Sequence, residues 1–175
     1  MIIQSDVTSD ARQSAGKTRF CMLKISDDYL RGFVEGEGMF YIGVVPSPET
    51  KNGWQVIYFL KVSQNPSGRM VLEYFKERLN CGYIKSNSKT DLTDKSLAFV
   101  VRNIDDLIKK VVPFFEGKLF IKKQNFEKFK KVLKIVKKGK HLTKEGLTQI
   151  LDLSYSMNTQ KRKFSKEYIL NSYKN

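Results

Sequence analysis

Two carboxylates separated by a single glycine, Glu35 and Glu37, close the segment LRGFVEGEG (residues 30–38) in a chain otherwise dominated by positive charge. Ser26, Asp27 and Asp28 stand ahead of it as N-cap candidates, so the segment is expected to be a helix ending near Gly36 or Gly38. Its glutamates then sit at a helix C-terminus, where the macrodipole is negative and each carboxylate is disfavoured by about 0.3–1 kcal/mol. A fold that keeps two acids there has a use for them in holding a cation. The Glu37 carboxylate and a late free carbonyl such as that of Gly36 are hard oxygen ligands suited to Mg²⁺. An ordinary acidic turn accounts for the same residues. Gly32 and Gly36, four apart, share a helical face and leave a groove where another backbone can come close, although the spacing also arises by chance. Two such glycines cost roughly 1 kcal/mol each against alanine, which close packing offsets.

Other reactive residues are scarce. His141, the single histidine, lies beside an expected helix start and reads as a surface residue, which excludes nuclease chemistries that depend on histidine. Cys21 and Cys81 are far apart and follow no metal spacing, so they read as reduced thiols of an intracellular protein, in an organelle or a prokaryotic cytoplasm. The formal net charge of +14, from 32 Lys and Arg against 18 Asp and Glu, attracts polyanions. Its richest window, Gly117 to Lys140, carries ten lysines and one acid, Glu127. No apolar run approaches the roughly 20 residues of a membrane span, so no membrane partner is expected. Residues 1–24 lack the apolar middle of a signal peptide and read as an N-terminal arm, leaving residues 25–175 as one domain.

The elements that must position the acids follow in order. After the first helix come MFYIGVVPSPET, a turn at Lys51, Asn52 and Gly53, and WQVIYFLKVSQ, together a long hairpin. RMVLEYFKERLN has helical periodicity in Met70, Leu72, Phe75 and Leu79; CGYIKSNS and KSLAFVVRN form a second strand pair. A helix at IDDLIKKVVPFF is expected to be stopped by Pro113. It is followed by an amphipathic helix with Phe126, Phe129, Leu133 and Val136 inward, and by another in HLTKEGLTQILDLSYSMN. The class is α+β with a four-stranded antiparallel sheet.

At this point the residues carry a resemblance. LRGFVEGEG is similar to the signature of the LAGLIDADG homing endonucleases, with Leu30, Gly32, Phe33, Val34, Glu35, Gly36, Glu37 and Gly38 acceptable and Arg31 departing from the usual small residue. FLKVSQ, LNCGYI, LAFVVRNIDDL, PFF, IKKQNF and HLTKEGL extend the resemblance over roughly Ile25 to Phe164. Tyr41, Ile42 and Gly43 suggest the GIY-YIG nucleases, but no GIY element stands upstream and they read as strand. The resemblance implies the α-β-β-α-β-β-α fold with a curved DNA-binding sheet. It also implies metal-dependent double-strand cleavage at a long, near-palindromic target, with Mg²⁺ or Mn²⁺ active and Ca²⁺ binding without cleavage. One motif per chain implies a homodimer with Gly32 and Gly36 at its two-fold interface. By the same resemblance Glu37 is a metal ligand through its side chain and Gly36 through its carbonyl, and Glu35 is structural. Lys122, with Lys123 as the alternate, is the active-site lysine, while Gln64 and Arg69 position solvent nearby.

The sheet would lie along the major groove of double-stranded DNA. Counting alternate positions from Glu37 puts Met39, Tyr41, Gly43, Val45 and Ser47 on the DNA face, with Gln55, Ile57, Phe59 and Lys61 from the second strand. Lys85, Asn87, Ser96, Ala98, Val100 and Arg102 follow from the later pair. This face is more apolar than base reading alone requires, which points to indirect readout or a register off by one. A silent nucleic-acid binder of the same fold, such as a splicing cofactor or transcription regulator, and a basic membrane-surface protein are the alternatives from other classes.

Overall fold

In the computed structural model of the chain, residues 25–88, 90–91, 93–157 and 162–174 are described; the arm expected over residues 1–24, with Cys21, lies outside them. Helix α1 spans Asp27–Glu37, and Ser26 caps it by accepting the Tyr29 N–H at 3.1 Å. Leu30 and Val34 anchor it in the core. Strand β1 (Gly38–Pro46) leaves the helix without a loop. A Cβ at Gly38 would lie 2.5 Å from the Val34 side chain and 2.8 Å from its carbonyl, so this direct exit requires glycine.

The hairpin turn uses Gly53 at φ 79°, and the Asn52 side chain accepts the Trp54 N–H at 2.9 Å, before β2 (Trp54–Gln64) returns. Helix α2 (Arg69–Leu79) ends at Asn80 in the left-handed conformation. Strands β3 (Tyr83–Ser86) and β4 (Leu97–Val101) complete an antiparallel sheet in the order β1-β2-β4-β3. Alternation sends Phe40, Ile42, Val56, Leu60, Val62, Phe99 and Val101 into the core. Phe40 is at its centre, with the rings of Phe115, Phe126 and Phe129 at 5.0–5.7 Å.

Pro113 does not stop the helix it sits in. Helix α3 (Ile104–Asp106) continues through a π-helical stretch, Leu107–Val111, into α4 (Val112–Phe115). The Val112 N–H bonds to the Leu107 carbonyl, five residues back, and this widened turn places Pro113 in the first turn of α4, where a missing N–H is tolerated. Helix α5 (Lys123–Lys137) buries Phe126, Phe129, Val132, Leu133 and Val136, and α6 (Lys144–Tyr155) follows after a 3₁₀ turn at Lys140–Leu142. A short α7 (Lys166–Asn171), capped by Ser165, went unexpected because six residues carry too little periodicity. Trp54 meets Phe164 and Tyr168 edge-on there. No helix among the described residues is long and apolar enough to cross a membrane.

Phe40→Ala should cost about 3–5 kcal/mol in urea denaturation, whereas Phe59→Ala, on the opposite sheet face, should cost about 1 kcal/mol. Equal losses would contradict this division of the sheet into a core face and an open face.

Candidate active site and nucleic-acid interface

The end of α1 is tied to the segment before α5 by a reciprocal set of hydrogen bonds. The Glu35 carboxylate accepts the backbone N–H groups of Phe120 and of Lys122, the latter at 2.8 Å. In return the Lys122 ammonium donates to the carbonyls of Val34 (3.0 Å), Glu35 (2.6 Å) and Gly36 (3.3 Å). The Val34 carbonyl also accepts the Gly38 N–H, whereas those of Glu35 and Gly36 lie in the last turn, which leaves such groups without an intrahelical partner and carries the negative end of the helix dipole. A cation seated on them offsets the electrostatic cost of two nearby glutamates. Burial pushes the Lys122 pKa down, while the charges of Glu35 and then Glu37 pull it back up. Lys123 is the exposed first residue of α5, so of the two candidate lysines it is Lys122 that meets α1.

Glu37, the last residue of α1, is exposed beside this crown of carbonyls. Among the described residues no group of three or more His, Cys, Asp or Glu converges on one point. The oxygens at this helix end that could hold a divalent cation are the Glu37 carboxylate and the Gly36 carbonyl. That donor set fits Mg²⁺, which keeps several waters and completes its shell with one or two carboxylates and substrate phosphates. The Gly36 carbonyl makes the longest of the three Lys122 contacts.

Gly32 and Gly36 are exposed, and an ideal Cβ built on either would meet nothing within 4 Å. Arg31 turns away from this glycine face. Its Nε donates to the Phe114 carbonyl at 3.0 Å, its guanidinium lies 4.7 Å from the Phe114 ring centroid, and it pairs with Asp28 at 2.7 Å. The departure at Arg31 is thus absorbed within the chain's own packing and leaves the face clear.

Gln64 stands two residues past Val62, the partner of Gly38, and so at the same end of the sheet as Glu37. Its side-chain oxygen accepts the Asn65 N–H at 2.6 Å, and its Cγ lies 2.4 Å from where a Cβ on Gly68 would be. Arg69 pairs with Glu73 at 3.0 Å one turn along α2. Glu37 and Lys122 share the end of α1, whereas Gln64 and Arg69 are engaged at the β2–α2 junction and make no hydrogen bond to either.

The register sets the open face. Met39 pairs with Lys61, Tyr41 with Phe59, Gly43 with Ile57 and Val45 with Gln55. Lys61 then faces Val100, Val100 faces Tyr83, and Ala98 faces Lys85. Asn87 and Ser96 continue past the strand ends through an N–H to carbonyl bond of 2.9 Å. The side-chain alternation counted from Glu37 therefore holds without a slip, and Met39, Tyr41, Val45, Ile57 and Phe59 belong to no part of the core. Four positions differ from the expected strand surface. Gly43 and Ala98 lie on that face yet are buried. Ser47 lies beyond β1 in the hairpin loop, its N–H bonded to the Gly53 carbonyl, and Val100 is only 1% exposed beneath its longer neighbours. Ser63 and Tyr83 occupy the same face and went unnamed, although continuing the count by two from Lys61 and back by two from Lys85 reaches both.

The sequence profile described as LAGLIDADG endonuclease matches residues 30–136. The chain belongs to the LAGLIDADG endonuclease family. Among solved structures, the homing endonuclease I-TnaI is 34% identical with a TM-score of 0.71, over 86% of this chain and 97% of that one. The I-LtrWI LAGLIDADG homing endonuclease bound to target DNA is 30% identical with a TM-score of 0.73, over 82% of this chain and 47% of that one. The probable intron-encoded endonuclease 2 of Neurospora crassa is 30% identical over 132 residues, 74% of this chain and 27% of the relative. The chain thus spans about a quarter of that curated relative. It carries the LAGLIDADG fold, an α+β arrangement with a four-stranded antiparallel open sheet.

Glu35→Ala removes the acceptor for two backbone N–H groups and should speed amide hydrogen exchange at Phe120 and Lys122 by roughly 10-fold or more, one hydrogen bond to a charged group being worth about 1.5–3 kcal/mol. The amides of β2 should be unchanged. Unchanged exchange at Phe120 and Lys122 would show that the carboxylate does not hold this segment.

Proposed function

We propose that the protein is a site-specific homing endonuclease that makes a metal-dependent double-strand break in DNA as a pair of like subunits. The observation that carries this reading is the meeting of the Glu37 carboxylate, the α1 carbonyls and the Lys122 ammonium at the end of a helix whose glycine face is free. A second copy packing its Gly32–Gly36 face against this one would bring two such helix ends together, one for each strand. The solved relative bound to target DNA supports a nucleic-acid partner, as does the net charge of +14.

In this reading Glu37 and the Gly36 carbonyl hold Mg²⁺ or Mn²⁺, and Ca²⁺ occupies the same oxygens without supporting cleavage. The bound cation would lower the pKa of an attacking water and neutralise charge on the phosphate as the bond breaks. Lys122, held at the helix end by the Val34 and Glu35 carbonyls, would exchange its long 3.3 Å contact with the Gly36 carbonyl for a phosphate oxygen or the attacking water. Glu35 fixes the backbone that delivers Lys122. Gln64 and Arg69 stand at the same end of the sheet to orient solvent. The open face of the sheet tracks the major groove, its apolar residues meeting thymine methyls and its polar ones base edges.

With Mg²⁺ and a target found by selection, Glu37→Gln should lower cleavage by about 10²–10³-fold or more while DNA binding in Ca²⁺ stays within about threefold. A chelator should abolish wild-type cleavage and spare the fold. A wild type that never cuts the sequence it selects would leave a silent binder of the same fold. Gly32→Leu should shift the protein to a monomer by light scattering with its helical circular dichroism intact; a variant that still pairs would exclude this face from the interface.

A further inference from the structure

The open face carries a stack that crosses three strands. Tyr41 faces Phe59 in the register of β1 and β2, and the pairing of Leu60 with Val101 carries Phe59 opposite Arg102, one residue beyond β4. The two rings are stacked at 4.6 Å with 16° between their planes, and the Arg102 guanidinium carbon lies 5.1 Å from the Phe59 centroid. At the far end Tyr41 lies over Gly43, where a Cβ would be 2.6 Å from its hydroxyl and 2.9 Å from its ring. The glycine leaves the space that lets the tyrosine lie against its neighbour. Neither ring belongs to the core, so burial of apolar surface inside the fold does not explain the arrangement.

Arg102 also differs from the other described arginines. Arg31, Arg69 and Arg78 are spent on carboxylates, and Arg162 donates to the Ser154 carbonyl. Arg102 is exposed, and among the described residues the Phe59 ring is its partner and no hydrogen-bond acceptor meets its five donors. It rises at the end of β4, which with β2 is one of the two inner strands, and so away from the sheet edges where a curved duplex would present its phosphates. A guanidinium confined over a ring has given up part of its rotamer freedom before binding and presents a fork of parallel N–H groups. In the major groove the acceptor pair that matches this fork is O6 and N7 of guanine.

We infer that Arg102 reads a guanine, one G·C pair in each half-site, and that Phe59 and Tyr41 are positioning residues that hold it for that contact. The inference rests on the reading of the open face as the DNA surface. Its test is the base preference at every position of a randomised duplex library, bound in Ca²⁺ by wild type and variants. Wild type should select one G·C pair per half-site. Arg102→Ala should reduce that preference roughly 5- to 150-fold and leave the preferences at other positions in place. Phe59→Leu, which keeps apolar bulk and removes the ring, should weaken the same pair by a smaller factor, and Arg102→Lys should not restore it. A loss confined to one base pair is a signature that a merely structural role would not give. A uniform loss of affinity with unchanged preferences would make Arg102 a phosphate contact and overturn the inference, as would an unchanged profile. A wild type that selects no sequence at all would overturn the DNA-surface reading as well, whereas a selective wild type with an indifferent Arg102 would overturn this inference alone.

Discussion

The lysine ammonium on the last carbonyls of α1 is the interaction that the rest of the site depends on. A helix that ends in glutamates and passes straight into a strand at Gly38 has no loop in which to satisfy its carbonyls and no basic residue of its own in the last turn. Lys122 supplies the missing cation from 86 to 88 residues away, and Glu35 holds the backbone from which Lys122 extends. The two bonds are mutually supporting: the carboxylate fixes the donor that neutralises the helix end from which it projects. The same geometry leaves Glu37 exposed and without a hydrogen-bond partner among the described residues, which is the condition that its proposed role as a metal ligand requires.

The sheet resolves a second conflict, between a core that needs aromatic side chains and a surface that, in the proposed function, meets a polyanion. Strict two-residue alternation in β1 and β2 sends Phe40, Leu60 and Val62 inward and Tyr41, Phe59 and Lys61 outward, so one strand serves both needs. The outward face stays apolar because its side chains pack on one another. Its rings stack on each other and support Arg102, and Val100 lies beneath longer neighbours, so the exposed chemistry comes from fewer residues than alternation alone suggests.

Much of this was legible in the sequence because it follows from short-range rules. Ser26 and the glycines bounded α1, and the period-2 pattern from Glu37 gave the register of the open face without a slip. What was not legible depends on contacts between distant segments or on backbone exceptions. The Glu35 role needs the position of Phe120, 85 residues away, and Arg31 looked like a misfit until Phe114 supplied its partner. Proline chemistry suggested a stop at Pro113, but a widened π turn let the helix continue. Helix α7 was too short to announce itself, and Gln64 turned its side-chain oxygen to its own chain.

If each subunit contributes one Glu37 and each cuts one strand, the number of competent carboxylates should set the number of strands broken. Mixed dimers of wild type and Glu37→Gln, purified by separate tags on the two subunits, can be given a supercoiled plasmid that carries the selected target and Mg²⁺. They should produce the nicked circle and stop, while wild-type dimers go on to the linear form. Linear product from mixed dimers at the wild-type rate would show that one helix end serves both strands, and a mixed dimer with no cutting at all would show that the two ends do not act independently.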